Sequence, residues 1–479
     1  MNYFLRVLCL FPLALAVLPC GCGSLRPGPQ HRTLGAGILP EQFSPLAEAG
    51  AESNAVQRLA VPDRWWQLFA SDELDTLVET AFTNNLDLAA AAARLRQARE
   101  RMIMAGAAGR LQLNGRGGAE VDKFGNTRGG INVERTQESY SAGLSAAYEL
   151  DIWGRISSAE KSAELVYEAS AEQLNATALL LSGAIARNWL QLKSVLLERE
   201  LIREQIETSR RALELLKVRQ RAALSAAVDV FQQESQVAAL ERLLPQLAEQ
   251  RDDFQIQLNV LLGAPASAAL PVAVKSEPLP VLQAFPECGL PAELIVSRPD
   301  VQAAWLTLQA QEWSVAARQA DRLPALTLTG ALNFEADQTA DLFRNWYANL
   351  AAGLVGPILD GGRRAAEVRL ADALAEESFV AYTDTVLLAI QEVEQALARE
   401  QNRREYLDAV ANEIRLNEKT LAESTNRYRK GLMEYLNVLT ALSNKQLSER
   451  RQLAAQSSLI LNRMALYQAL AGRGVLKDE

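Results

Sequence analysis

Catalysis in a chain of 479 residues would need a nucleophile beside a base, clustered metal ligands, or a pair of positioned carboxylates. The first two are poorly supplied. The only histidine, His31, lies in the segment "RPGPQHR", which argues against a Ser-His-Asp or Cys-His machine and against a histidine-rich metal site. Of the four cysteines, Cys9 and Cys20 sit in an apolar leader, Cys22 follows it and Cys288 stands alone, so no intramolecular disulfide and no zinc-binding thiolate cluster is expected. Glu149 and Asp151 are the acid pair that a lipid-anchored hydrolase would have to use. With no histidine in the folded region, that reading is the poorest. No cofactor and no metal site is expected.

One cysteine has a different chemistry open to it. Arg6 precedes the apolar run "VLCLFPLALAVLP", which is too short to span a bilayer as a mature helix and reads as a secretory leader over residues 1–21. Cys22, with the small Gly21 before it, then resembles the lipidated cysteine of a bacterial lipobox, although Pro19 stands where an aliphatic residue is usual. Cys20 as the lipidated residue, or plain secretion with cleavage at another small residue, remain as alternatives. Gly23 is not the aspartate that retains such lipoproteins at the inner membrane, so the resemblance implies the outer membrane, with residues 22–70 as a lipid-anchored linker. The net charge of −9 and the lack of a basic stripe give no reason to expect a nucleic-acid partner.

A junction is written twice. "YELDIWGR" at residues 148–155 and "PILDGGRR" at 357–364 each end a glycine-containing stretch and open a long alanine-rich one, with Asp151 and Asp360 placed 209 positions apart. Each aspartate is followed by a Gly-Arg pair, Gly154-Arg155 and Gly362-Arg363. Glycine permits a sharp turn where a strand becomes a helix, and aspartate can cap the new helix.

The elements on either side support that reading. Only 6% of residues are aromatic, no proline falls between Pro62 and Pro245, and none follows Pro357. Residues 157–222 hold a single glycine, Gly183, and 363–430 hold none, so each reads as one helix of roughly 66 residues and about 100 Å. Shorter helices are expected near 72–107, 226–262, 291–320 and 433–471, with Gly263 and Gly472 as C-caps. In the last of these, Ser443, Gln446, Arg450 and Ser457 interrupt the apolar stripe, which suits a helix in a curved wall with one wet face.

Between the helices the period changes to two. Leu111, Leu113, Gly115, Gly117, Ala119 and Val121 alternate with Gln112, Asn114, Arg116, Gly118 and Glu120, and 141–150, 325–334 and 345–354 split the same way. Four strands in two hairpins, 110–150 and 323–359, are therefore expected, each long enough to cross a membrane when tilted. Lipid cannot satisfy a sheet edge, and four strands are too few to close, so several chains must pool them; three would give twelve. Two soluble hairpins packed on the helices are the alternative.

The duplication extends further, since "LSAAVDV" at 224–230 is echoed by "LMEYLNV" at 432–438. It divides the chain into repeats at 71–286 and 287–479. Together "WWQLFASDELDTLVETAFTNNLDLAAAAARLRQAR" (65–99), "YELDIWGR", "LDGGRR" and "RYRKGLMEYLNVLTA" (427–441) resemble the TolC-like outer-membrane factor family, in its lipoprotein branch that serves RND-type efflux systems. The resemblance covers nearly the whole mature chain. It implies a mainly α fold with a membrane β-barrel: a homotrimer whose twelve-stranded barrel, four strands per chain, is continuous with a long periplasmic α-helical barrel. It further implies a passive exit duct that works with an inner-membrane transporter and a periplasmic adaptor and catalyses nothing. A type I secretion exit channel and a non-channel coiled-coil scaffold are the alternatives.

The resemblance also locates residues that matter at the periplasmic tip. Asp229 matches an acidic position of the first helix-to-helix turn, whereas Asn437 and Thr440 occupy the corresponding acid positions of the second, with Glu434 nearby. Tyr428, Arg429 and Gly431 belong to that second turn, and Gly431 reads first as a turn residue. The stretches 219–228 and 427–436 are the expected adaptor-docking tips.

Overall fold

The computed structural model describes residues 27–35, 43, 61–128, 131–283, 285 and 298–472, with side chains at 126–133 excluded. The leader and Cys22 lie outside the described residues, as do Cys288 and the start of the helix expected from 291. Two compact units emerge. The first takes in Ile103–Ala163 and Ala310–Ala375, and the second takes in Arg32–Met102, Glu164–Gln309 and Glu376–Glu479.

The first unit contains one antiparallel sheet in the order β1 (Gln112–Arg128), β2 (Ile131–Leu150), β3 (Ala325–Ala336) and β4 (Trp346–Val355). Its register joins the two alternating sets across every strand. Gly115 faces Leu144, Leu144 faces Leu332, Tyr148 faces Leu328, Leu332 faces Ala348 and Phe334 faces Trp346, so one face of the four-stranded part is apolar. The other face carries rows such as Asn114, Ser145, Ala331 and Asn349. Among the described residues the outer edges of β1 and β4 have no strand partner.

The first hairpin is longer than period two indicates. β1 and β2 run for 17 and 20 residues, and β3 joins β2 only from Tyr140 inward, leaving a two-stranded ribbon beyond. Polar residues occupy both faces there, with Lys123 and Glu134 paired at 2.8 Å, so no alternation marks it.

Helix α1 (Asp72–Asn84) and α2 (Leu86–Ala107) replace the single helix expected over 72–107. Asn85 makes the break. Its Oδ1 accepts the Leu88 N–H at 2.9 Å while its Nδ2 donates to the Leu261 carbonyl at 2.8 Å. A second expected helix also divides, into α4 (Ala227–Glu241) and α5 (Leu243–Leu261), because Pro245 has no N–H for the Glu241 carbonyl. The two giant helices form as expected: α3 (Arg155–Arg221) and α7 (Arg363–Arg429) have 67 residues each. Between them comes α6 (Pro299–Ala320), and the last is α8 (Tyr435–Leu470).

In the second unit the main core gathers Trp65, Trp66, Leu74, Leu77 and Val78 around Ile185 and Trp189 of α3 and Met464 and Tyr467 of α8. Burying a tryptophan of this kind stabilises the fold by roughly 4–6 kcal/mol. The end of the expected linker 22–70 is thus core, because Trp65 and Trp66 are fully buried and Trp65 Nε1 donates to Ser182 Oγ at 3.1 Å. Two of the polar breaks expected on the wet face of α8 are not wet, although Asn437, Thr440, Asn444 and Arg451 do form an exposed stripe there. Gln446 and Ser457 are buried between helices: Gln205 Nε2 donates to the Gln446 carbonyl at 3.0 Å, and the Ser194 and Ser457 hydroxyls meet at 2.8 Å.

Of the expected glycine caps only Gly263 holds. Its φ is +70°, and the Ala264 N–H reaches back to the Asn259 carbonyl at 2.8 Å. At the other end Ala471 is extended, with φ −68° and ψ 141°, so Gly472 closes no left-handed cap. A Cβ on Gly263 would lie 2.2 Å from the Asn84 carbonyl oxygen. Gly263→Ala is therefore expected to cost about 2–4 kcal/mol, more than left-handed strain alone. Urea unfolding measures it, and a loss below about 0.5 kcal/mol would contradict the close approach.

Candidate functional site

The two turns expected at the tips belong to the second unit and repeat one another in detail. After α3, Ala223 has φ +58° and the Leu224 N–H bonds the Arg219 carbonyl at 2.8 Å. After α7, Gly431 has φ +72° and the Leu432 N–H bonds the Arg427 carbonyl at 2.9 Å. Alanine holds the first left-handed position and glycine the second, so Gly431 is a turn residue as the sequence indicates.

Each turn leads into a helix whose third residue is the aspartate or asparagine singled out above. Asp229 in α4 accepts the Ala226 N–H at 3.2 Å and the Ser225 hydroxyl at 2.8 Å, so its carboxylate caps the helix. Asn437 holds the same place in α8 and is exposed. Glu434 is the N-cap residue of α8, but its side chain makes no capping bond and is exposed. Thr440 is exposed and its hydroxyl donates to the Leu436 carbonyl at 2.8 Å. Arg429 is exposed in the last turn of α7, where a cation favours the helix dipole.

Tyr428 is tied into a cluster that the sequence does not announce. Its ring meets that of Tyr435 edge-to-face with centroids 5.4 Å apart, and the Arg219 guanidinium lies 5.0 Å above it. The Tyr435 hydroxyl donates to Gln233 Oε1 at 2.8 Å, and Gln233 Nε2 donates to the Ser209 carbonyl at 2.8 Å. Burial first, and then the neighbouring Tyr428 and Asp229, push the Tyr435 hydroxyl up to about 12. It stays a neutral donor at neutral pH. Leu213, Leu216, Val230, Val237 and Val438 enclose the cluster. These contacts join α3 and α4 to α7 and α8. Arg219, Gln233 and Tyr435 are separated by as much as 216 positions, and only their place near the repeated turns hints at them.

The repeated junctions belong to the first unit. Asp151 Oδ1 accepts the Ile156 N–H at 3.0 Å and Oδ2 the Ser157 N–H at 2.8 Å. Asp360 Oδ1 accepts the Gly362 N–H at 3.0 Å and Oδ2 the Arg364 N–H at 3.2 Å. Both aspartates cap, but from upstream. The N-cap position is held by Gly154, with φ +77°, and Gly362, with φ +86°, rather than by the acid. The Arg364 and Gly362 N–H groups, with the Arg363 and Arg364 charges, hold the Asp360 carboxyl below the usual carboxylate range. The arginines part company: Arg155 forks back onto Glu149 at 2.8 and 2.9 Å, whereas Arg363 pairs forward with Glu367 at 2.6 Å.

Nothing in either constellation pairs a nucleophile with a base. Among the described residues no helix is long and apolar enough to cross a membrane.

Comparison with known proteins agrees. The model of the outer membrane efflux protein family matches the chain at residues 77–264 and again at 290–472. The pyoverdine export outer membrane protein OpmQ of Pseudomonas putida is 35% identical, over 98% of this chain and 97% of that protein. The probable outer membrane lipoprotein SilC of Salmonella typhimurium is 23% identical, over 97% of this chain and 98% of that one. Among solved structures the outer-membrane channel OprN superposes with a TM-score of 0.84 at 27% identity, covering 93% of this chain and 98% of that chain. The internal duplication, the four strands per chain and the long helices are those of a transport duct rather than an enzyme: the chain belongs to the outer membrane efflux protein family and is an outer-membrane exit channel.

Proposed function

We propose that three copies of this chain close a twelve-stranded β-barrel in the outer membrane, with the long helices forming a periplasmic barrel. The trimer is the passive duct of a tripartite efflux pump, loaded by an inner-membrane transporter through a periplasmic adaptor. The observation that carries this reading is the pair of unpartnered sheet edges, β1 and β4. In hydrocarbon each unmatched N–H or C=O group costs several kcal/mol, so the edges must meet those of neighbouring copies. The continuous apolar face then meets lipid and the polar face lines the lumen. Trp346, opposite Phe334 at one end of the sheet, and Tyr148 toward the other suit the two membrane interfaces.

Cys22 carries the lipid that anchors the mature N-terminus in the outer membrane. The relative described as an outer membrane lipoprotein supports this. The repeats at 71–286 and 287–479 each supply one hairpin, one strand-to-helix junction and one tip. At the tips, Leu224, Val228 and Phe231 of the first repeat and Leu432 and Leu436 of the second are exposed, apolar and grouped by sequence at the turns. They form the adaptor-docking surface. The Arg219–Tyr428 contact and the Tyr435–Gln233 bond hold the two helical hairpins of one copy together and so resist opening of the tip.

Replacing Leu224, Val228, Phe231, Leu432 and Leu436 together with polar residues is expected to leave trimers intact and abolish export; normal export would place docking elsewhere. Asn437→Asp combined with Thr440→Asp should increase divalent-cation block in planar-bilayer recordings by roughly tenfold, as added carboxylates on a lumenal ring would. Unchanged block would reject a lumenal position for these residues.

A further inference from the structure

Two bulky side chains of the polar sheet face share one row. In register, Arg116 of β1 faces Gly143 of β2, Gly143 faces Asn333 of β3, and Asn333 faces Tyr347 of β4. Arg116 crosses the middle strand to reach the third: its Nη2 donates to Asn333 Oδ1 at 2.6 Å. Gly143 makes the crossing possible, since a Cβ there would lie 2.7 Å from Asn333 Oδ1 and 3.2 Å from Arg116 Nε. Tyr347, at the far side of the row, is 62% exposed.

The rows on either side differ in charge. Toward the junctions, the next two rows are Asn114, Ser145, Ala331 and Asn349, then Gln112, Ala147, Thr329 and Ala351, with no ionisable group. Toward the hairpin turn come Gly118, Ser141 and Glu335, and beyond them Glu120 opposite Ser139. Within the four-stranded part of the sheet Arg116 is thus the one cation of this face among the described residues, with carboxylates directly outside it; Arg135, opposite Phe124, follows only in the two-stranded ribbon beyond.

We infer that the row of Arg116, Gly143, Asn333 and Tyr347 is the selectivity layer of the barrel, passing anionic solutes more readily than cationic ones of equal size. The inference rests on the trimeric-channel reading, in which the polar face is lumenal and each row recurs three times. Three pinned guanidinium groups then set a local positive potential, as charged rings do in other pores, and three tyrosine rings narrow the same level. Asn333 is a positioning residue, because it holds the guanidinium flat across Gly143.

The test places a thiol behind the layer. Ala351→Cys, in a Cys288→Ala background, is labelled on intact cells by methanethiosulfonates carrying either a sulfonate or a trimethylammonium group. Adding Arg116→Gln is expected to lower the sulfonate-to-trimethylammonium rate ratio by about thirtyfold, because a unit-charge interaction of about 1 kcal/mol across water attracts one reagent and repels the other. Tyr347→Ala is expected to raise both rates together and leave the ratio unchanged. If both reagents label position 351 but Arg116→Gln does not alter their ratio, the selectivity layer is overturned and the channel stands. If neither reagent reaches position 351 in any variant, the face is not lumenal, and the channel reading falls together with the layer.

Discussion

Lipid offers no partner to a peptide group, and that constraint organises this molecule. A four-stranded sheet with one apolar face could lie against a bilayer, but its edges could not enter one. β1 and β4 are such edges, 17 and 10 residues long, and nothing else among the described residues covers them. Neither strand is shortened, and neither edge is blocked by proline within its span. Those are the devices by which soluble proteins protect a sheet edge. Here the edges are left in a state suited to pairing.

The helices answer a second demand set by the first. A strand that leaves the sheet must reverse its backbone habit within a few residues, and the chain does this twice with one chemical solution. A glycine with positive φ takes the N-cap position, and an aspartate two or three residues upstream bonds the orphan N–H groups past it. The sign of the Asp360 shift fits this role. A carboxyl held below its unfolded value stabilises the junction at neutral pH, and that contribution is lost only as pH falls through the depressed value. At the opposite ends of the giant helices, the repeated left-handed turns at Ala223 and Gly431 return the chain, and a buried tyrosine-centred cluster locks the two returns together.

Much of this was legible in the sequence because it rests on period. Alternation assigned the apolar and polar sets of all four strands, and the observed register joins those sets without a slip, Leu144 to Leu332 to Ala348. The strand-to-helix junctions were legible because they are written twice. Where polarity had to be interpreted without partners, the reading went astray. Gln446 and Ser457 look like solvent-facing breaks in a stripe, yet each finds a hydrogen bond on α3 and is buried. Helical period runs on through Asn84-Asn85 and Arg242, and only Pro245 marks the second break in the sequence. Arg219, Gln233 and Tyr435 escaped notice because a contact between distant residues leaves no local pattern. The ribbon beyond Val121 escaped for a simpler reason, since a strand wet on both faces does not alternate.

The central claim is that the sheet closes only by joining copies of the chain. Native mass spectrometry of the detergent-solubilised protein, paired with hydrogen exchange at the β1 and β4 amides, tests it most directly. The account predicts a trimer in which the amides of both edge strands are as protected as those of β2 and β3. A stable monomer whose β1 and β4 edge amides exchange freely would contradict it.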